Sequence, residues 1–141
     1  LKIVPLHRDE ILVAVAPGHA LAQRDGTVEV SELAQHALLL PRAGQTREAI
    51  EELLNGAAER LQVSMELDST ELLKGFAAAG LGVAFVARTL AAAEERAGEL
   101  KLLRVAGKTL HRDLGLIFRR DRALGRAALA FIDIAVGYAA K

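Results

Sequence analysis

Val63-Ser64-Met65-Glu66-Leu67-Asp68-Ser69-Thr70-Glu71-Leu72-Leu73-Lys74-Gly75-Phe76-Ala77-Ala78-Ala79-Gly80-Leu81-Gly82-Val83-Ala84-Phe85-Val86-Ala87 holds three elements in succession. Val63, Met65 and Leu67 alternate with Ser64 and Glu66, the pattern of a half-buried strand. Asp68 and Glu71 stand three apart, as in a capping box, and announce a helix. Leu72, Leu73, Phe76 and Ala77 give that helix its apolar face, and Gly80 ends it. Val83 to Ala87 is a short apolar run, read as a fully buried strand. The two glycines resemble a dinucleotide-binding turn but stand in the wrong order. Such a turn runs from strand through glycines into a helix, so that the helix N-terminus faces the pyrophosphate. Here the glycines close a helix and open a strand. Gly80 is expected to take a positive φ as a C-cap, and Gly82 to permit close packing. Strand, helix and strand in that order argue an α/β fold with a largely parallel sheet.

The same alternation continues outward. Towards the N-terminus, Ile11 to Ala16 reads as a buried strand stopped by Pro17-Gly18, and Leu1 to Leu6 as extended chain. His19 to Thr27 is expected to be a loop, and Ser31 to cap a short helix from Glu32 to Gln35. Ala37 to Leu40 is a further apolar run, assigned to strand by its length and by Pro41. From Arg47, the positions Ile50, Leu53, Leu54, Ala57, Ala58 and Leu61 lie on one helical face. Towards the C-terminus, Leu90 to Ala97 reads as a helix stopped by Gly98. Leu100 to Val105 and Leu114 to Phe118 read as strands. Leu124, Ala127, Ala128, Phe131, Ala135 and Tyr138 mark a last helix.

Composition narrows the function classes. The chain has 141 residues, 52% hydrophobic and 26% charged, the mix of one packed globular domain. Lys plus Arg and Asp plus Glu are both 18, so the net charge is zero. Such a chain is poorly suited to binding nucleic acid by bulk electrostatics. Cysteine is absent, which removes disulfides, thiolate metal sites and thiol redox chemistry. The uncharged run Phe76 to Ala87 is too short to span a bilayer as a helix, and Leu1-Lys2 leads into Pro5, His7, Arg8, Asp9 and Glu10 rather than a signal peptide. The expectation is a soluble intracellular domain. A first residue of Leu inside an extended segment suggests a fragment of a longer protein.

Chemistry-bearing residues are few. His7, His19, His36 and His111 show no ligand spacing, so no metal is expected. No serine sits in a nucleophile elbow, and no nucleophile has an evident base, so no catalytic residue is assigned. Two places point to a ligand. Pro41, Arg42, Ala43, Gly44, Gln45 and Thr46 follow a strand and open a helix, where open α/β sheets place ligands. The unpaired first-turn N–H groups there favour an anion, with Thr46 adding a hydroxyl, Gly44 close backbone approach, and Arg42 and Arg47 cations. Ser69 and Thr70 stand at the head of another helix. Ordinary helix capping is the competing reading of both.

The ordered series of motifs resembles the C-terminal part of the effector-binding domain of LysR-type transcriptional regulators. Leu6 to Ala22, with Pro17-Gly18-His19-Ala20-Leu21-Ala22, is similar to the family's strand and His-Pro-Leu-Ala turn, with Ala20 where proline is usual. Val30-Ser31-Glu32-Leu33-Ala34 resembles its short helix, and Gly44-Gln45-Thr46-Arg47 its Gly/Ser-x-Thr-Arg turn. Ala78-Ala79-Gly80-Leu81-Gly82-Val83-Ala84 resembles its most specific stretch. Leu116 to Arg122 and Ala127 to Ile132 resemble its closing strand and helix.

The resemblance implies a type 2 periplasmic-binding-protein-like α/β fold, in which an effector lies between two subdomains. Residues 1–112 would be the second subdomain with the first crossover strand, and residues 113–141 the returning strand and helix of the first, which would be only partly present. The crossovers would fall near Ile3 to His7 and His111 to Leu114. An incomplete subdomain would expose apolar surface and favour self-association. The implied role is effector sensing and oligomerisation in a cytoplasmic bacterial regulator, without enzymatic activity, cofactor or membrane contact. The partners would be a small, anionic effector and further copies in a dimer or tetramer. DNA would be met only through a winged helix-turn-helix domain outside this chain. Pro41, Arg42, Ala43, Gly44, Gln45, Thr46, Ser69 and Thr70 would face the effector. Lacking cysteine, the chain cannot be one of the family's thiol-based peroxide sensors. The alternative is a transporter's solute-binding protein of related fold, which would require export.

Overall fold

The computed structural model describes residues 1–55 and 61–141. They form two compact units, one of Leu1–Asp9 with Asp113–Lys141 and one of Glu10–Arg112. The strands are β1 (Lys2–Val15), β2 (Thr27–Val28), β3 (Ala37–Pro41), β4 (Gln62–Leu67), β5 (Val83–Ala87), β6 (Lys101–Val105) and β7 (Leu110–Phe118). The helices are α1 (Val30–Leu33), α2 (Gln45–Leu54), α3 (Thr70–Ala78), α4 (Arg88–Arg96) and α5 (Arg126–Ala139), with a 3-10 turn at Ala20–Gln23.

The larger unit, Glu10–Arg112, is a sheet in the order β2-β6-β1-β5-β3-β4. β3 runs parallel to β4 and β5, and β2 parallel to β6. β1 runs antiparallel to both neighbours, with Ile11 opposite Ala87 and Val15 opposite Lys101. The expectation of a largely parallel sheet is therefore corrected to a mixed one. β1 runs into this unit as continuous extended chain from Lys2. It enters at the end where β5 and β6 finish.

The apolar strand runs are continuous because both sheet faces are covered. Ile11, Val13, Val15, Leu38, Leu40, Val83, Phe85 and Leu103 face one core, closed by Leu21, Leu33, Ile50, Leu53 and Leu54. Leu12, Ala14, Leu39, Ala84, Val86 and Leu102 face the other, closed by Leu73, Ala77 and Ala91 of α3 and α4. β4 carries an irregularity: Leu38 pairs with Val63 and Leu39 with Met65, which leaves Ser64 as an extra residue. Val63 is 39% exposed there, more open than simple alternation implies.

Local signals set the ends of α3. Ser69, not Asp68, is the N-cap: its Oγ accepts from the Leu72 N–H at 3.3 Å. At the other end Gly80 takes φ 82°, the Gly80 N–H reaches Ala77 O at 3.0 Å and the Leu81 N–H reaches Phe76 O at 3.0 Å. This is a Schellman closure, and it needs the positive φ that glycine supplies. A Cβ on Gly82 would stand 2.7 Å from Ala37 O, so that glycine is required by space.

Other boundaries move. α1 begins at Val30 with Glu29 as its cap, because the Glu32 carboxylate reaches back to the Glu29 N–H at 3.0 Å, and Ser31 lies inside the helix. The segment expected to be loop contains the 3-10 turn capped by His19. α2 begins at Gln45, two residues earlier than the periodicity suggests. Ala57 and Ala58 lie outside the described residues. α4 follows β5 directly, with Ala87 as its cap residue. α3 and α4 are joined by Lys74, whose ammonium donates to Leu90 O at 2.8 Å and Glu94 Oε1 at 2.7 Å and pairs with Glu71 Oε1 at 2.9 Å. Burial alone would lower the Lys74 pKa, but the bonds to Glu94 and Glu71 outweigh it and raise it.

In the smaller unit β7 pairs with β1. Gly115 allows a close approach, since a Cβ there would lie 3.0 Å from Val4 O. α5 starts at Arg126 behind Gly125, so Leu124 precedes the helix. No α5 residue is buried, and Phe131 and Tyr138 are 60% and 80% exposed. Among the described residues no helix is long and apolar enough to cross a membrane.

Candidate functional site

The β3–α2 connection owes its shape to Gly44. This residue has φ 99° and ψ 178°, a region essentially closed to residues with a Cβ. As N-cap of α2 it offers no side-chain bond, and its carbonyl accepts the Glu48 N–H at 3.0 Å. The first-turn N–H groups of α2 thus remain available as donors.

Arg47 locks the same connection from behind. Its Nη1 donates to Pro41 O at 2.9 Å and Glu66 Oε2 at 3.0 Å, and its Nε donates to Glu51 Oε1 at 2.8 Å. The Arg47 side chain is only 16% exposed. The cation that the sequence places at this turn is thus tied into the fold itself. Its Nη1 and Nε are held by β3, β4 and α2, and it acts as a staple. Arg42 turns to the end of β4, with Nη2 3.4 Å from Glu66 O and Nε 3.7 Å from Asp68 Oδ1.

A concavity in the larger unit, of about 270 Å³ counting the part open to solvent, gathers Thr46 at the start of α2 and Thr70 at the start of α3. Ile11, Phe85, Val86, Ala87, Leu90 and Arg112 complete its lining. The sheet order explains the meeting. β3 leads into α2 and β4 into α3, so both helices begin at the C-terminal edge of the parallel strands, where β5 also ends. Two helix N-termini carrying partial positive charge and two hydroxyls then face an apolar floor with one arginine at its side. That arrangement suits a small ligand with an anionic head.

The other expected site residues lie around this concavity rather than in its lining. Ala43, Gly44 and Gln45 are exposed on the connection, Pro41 gives its carbonyl to Arg47, and Ser69 is occupied as the α3 cap. Sequence reasoning missed Ile11, Phe85, Val86, Ala87, Leu90 and Arg112. The β5 and β1 positions follow only from strand order, and nothing in the spacing around Arg112 marked it. Among the described residues no group of three or more His, Asp or Glu could hold a metal ion.

Residues 1–140 match the family of the LysR substrate binding domain. The chain is 30% identical over 135 residues to a probable RuBisCO transcriptional regulator of Nostoc sp., covering 93% of this chain and 40% of that protein. It is 33% identical over 124 residues to the HTH-type transcriptional regulator CbbR of Xanthobacter flavus, covering 86% of this chain and 37% of that protein. The chain thus spans about two fifths of the length of these curated relatives. The regulatory domain of Synechocystis PCC6803 CcmR, solved in complex with 2-PG, has the same fold, with TM-score 0.85, 20% identity, and 98% of this chain and 66% of that one covered. The effector binding domain of QuiR, solved in complex with shikimate, gives TM-score 0.81 at 19% identity, with 98% and 65% covered. These likenesses establish the type 2 periplasmic-binding-protein-like fold.

Proposed function

The chain belongs to the LysR substrate-binding domain family, and from that premise we propose that it is the effector-sensing and oligomerisation module of a transcriptional regulator, with the Thr46–Thr70 concavity as its binding site for a small anionic metabolite. The observation that carries this reading is the meeting of two helix N-termini, each with a threonine, over one apolar floor. The CcmR and QuiR domains were solved with 2-PG and shikimate, both of which carry an anionic head on a small body. In this reading Thr46 and Thr70 donate hydroxyl hydrogen bonds to that head, the N-terminal partial charges of α2 and α3 support them, and Arg112 supplies positive charge beside them. Arg42, Ala43, Gly44 and Gln45 shape the rim, with Pro41 and Ser69 holding the ends of β3 and α3. The chain works by binding and not by turnover, in the cytoplasm, as part of a homo-oligomer. DNA is contacted by a winged helix-turn-helix domain not contained in residues 1–141. Control of transcription then requires that the effector bind one state of the regulator more tightly than the other.

The test is ligand binding to the parent and to Thr46→Val, with 2-PG, shikimate and a panel of small carboxylates and phosphates as probes, followed by calorimetry and thermal shift. Loss of a hydrogen bond to a charged group costs about 1.5–3 kcal/mol, so Thr46→Val should bind roughly tenfold to a hundredfold more weakly. Its urea midpoint should stay near the parent's. Undiminished binding by Thr46→Val together with Thr70→Val would remove the concavity as the effector site.

A further inference from the structure

His19 and His36 are remote in sequence and meet in the larger unit, with ring centroids 4.7 Å apart and planes tilted by 59°. His19 is also a cap. Its Nδ1 accepts the Leu21 N–H at 3.1 Å and so starts the 3-10 turn Ala20–Gln23. A ring nitrogen that accepts an N–H carries no proton, so the neutral ring holds its proton on Nε2. Neither nitrogen then has a lone pair to give a metal, and the histidine pair is not a chelate. The ring can still take a second proton, and Nδ1 is the one place for it. Protonation there sets an N–H donor against the Leu21 N–H and ends the cap.

The capped turn is part of the core. Leu21 and Ala22 are 3% and 6% exposed, in the cluster that contains Val28 and Leu33. Its remaining holds lie beyond the cap. The Ala22 N–H bonds His19 O at 2.9 Å, and the Arg24 N–H bonds Leu21 O at 3.1 Å. Lys101 of β6 donates its ammonium to Ala22 O and, at 2.9 Å, to Arg24 O. Arg24 pairs with Glu32 of α1. The charged and titratable groups around the turn are thus His36 after α1, Lys101 on β6, and the Arg24–Glu32 pair. The nearest titratable ring to His19 is that of His36, which adds repulsion once it is charged.

We propose that His19 and His36 form an acid-released latch, in which protonation of His19 uncaps the Ala20–Gln23 turn and opens that segment of the core. Burial of the ring and then the neighbouring His36 both hold His19 below the usual histidine value. A histidine depressed in this way favours the folded state in full above its unfolded-state value. That contribution is lost as pH falls through the unfolded value towards the folded one.

The experiment follows the imidazole resonances of both histidines and the protection of the Leu21 amide against hydrogen exchange between pH 7.5 and 5. Protection of Leu21, corrected for the intrinsic pH dependence of exchange, should fall roughly tenfold as His19 titrates. His19→Asn supplies an oxygen acceptor that does not titrate, so its Leu21 amide should stay protected at pH 5. His36→Gln should move the His19 midpoint up towards the ordinary value. The proposal is overturned if Leu21 protection is unchanged through the His19 titration, or if His19→Asn loses protection in parallel with the parent. An unmoved midpoint in His36→Gln, which leaves the cap intact, overturns the coupling of the pair.

Discussion

Substituting alanine for Gly82 and for Gly75 should shift stability in opposite directions. Gly82 is buried one residue before β5, and its added Cβ would lie 2.7 Å from Ala37 O, 3.1 Å from Leu39 Cγ and 3.3 Å from Ala37 C. Two of those atoms are backbone of β3, which cannot swing aside. Relief requires β3 and β5 to separate by roughly half an ångström, in an interior packed as densely as an organic crystal. The pairs strained are Leu38 with Val83 and Leu39 with Ala84, four residues with 0% exposure. Overpacking costs about 1–3 kcal/mol, and a blocked backbone places Gly82→Ala near the top of that range. At about 3–4 °C per kcal/mol for a chain of this length, the melting temperature should fall by roughly 10 °C. Gly75 is exposed in the interior of α3, and a Cβ there meets nothing within 4 Å. Removing glycine from a helix interior gains about 0.5–1 kcal/mol, so Gly75→Ala should melt about 2–4 °C higher. Urea titration followed by far-ultraviolet circular dichroism gives both midpoints, with slopes unchanged from the parent. A Gly82→Ala midpoint equal to the parent's would refute the packing argument. So would a common direction for the two variants, which would mean that flexibility of the unfolded chain governs both.

Two further outcomes follow from the ion pairs. Lys74→Met should lower stability by about 1–3 kcal/mol, read as a urea midpoint shift, because it removes the charged hydrogen bonds that the buried ammonium makes to Leu90 O and Glu94. A cost under 0.5 kcal/mol would mean that Lys74 contributes by its aliphatic stem alone. Glu10 is held below the usual glutamate value, first by its hydrogen bonds from Arg104 and with help from Arg88. Its contribution is present above the unfolded-state value and lost as pH falls through the folded one. Carboxyl NMR titration should therefore show Glu10 titrating low in the parent and nearer the ordinary value in Arg104→Ala.

What the sequence disclosed was what is local. Gly80 is legible from the chain because a positive φ at a helix end is decided within a few residues, and Gly82 reads as a close-packing glycine although the atoms that crowd it belong to Ala37 and Leu39 of β3. Thr46 and Thr70 could be singled out because they open helices. What depends on distant partners stayed hidden. The direction of β1 is set by pairing with β5 and β6 and not by its own residues. Arg47 has the right charge for an anion, but only the fold shows Pro41 O, Glu51 and Glu66 around it. His19 and His36 gave no signal because ligand spacing says nothing about rings brought together across a turn. Phe131, Ala135 and Tyr138 mark an apolar side of α5, yet periodicity cannot say whether anything lies against it.

The antiparallel placement of β1 also shapes how the chain comes to its fold. Ile11 and its partner Ala87 lie about 75 residues apart, so on a ribosome adding roughly 5–20 residues per second β1 waits some 4–15 s for β5 to be made. Through that interval Ile11 to Val15 is a nascent apolar strand with both edges open, the kind of segment that pairs with the wrong chain. The residues beside it blunt the risk. Arg8, Asp9 and Glu10 precede the run and Pro17 follows it, charge on one side and a missing donor on the other. Gatekeepers of this kind discourage aggregation during synthesis while leaving the finished sheet undisturbed.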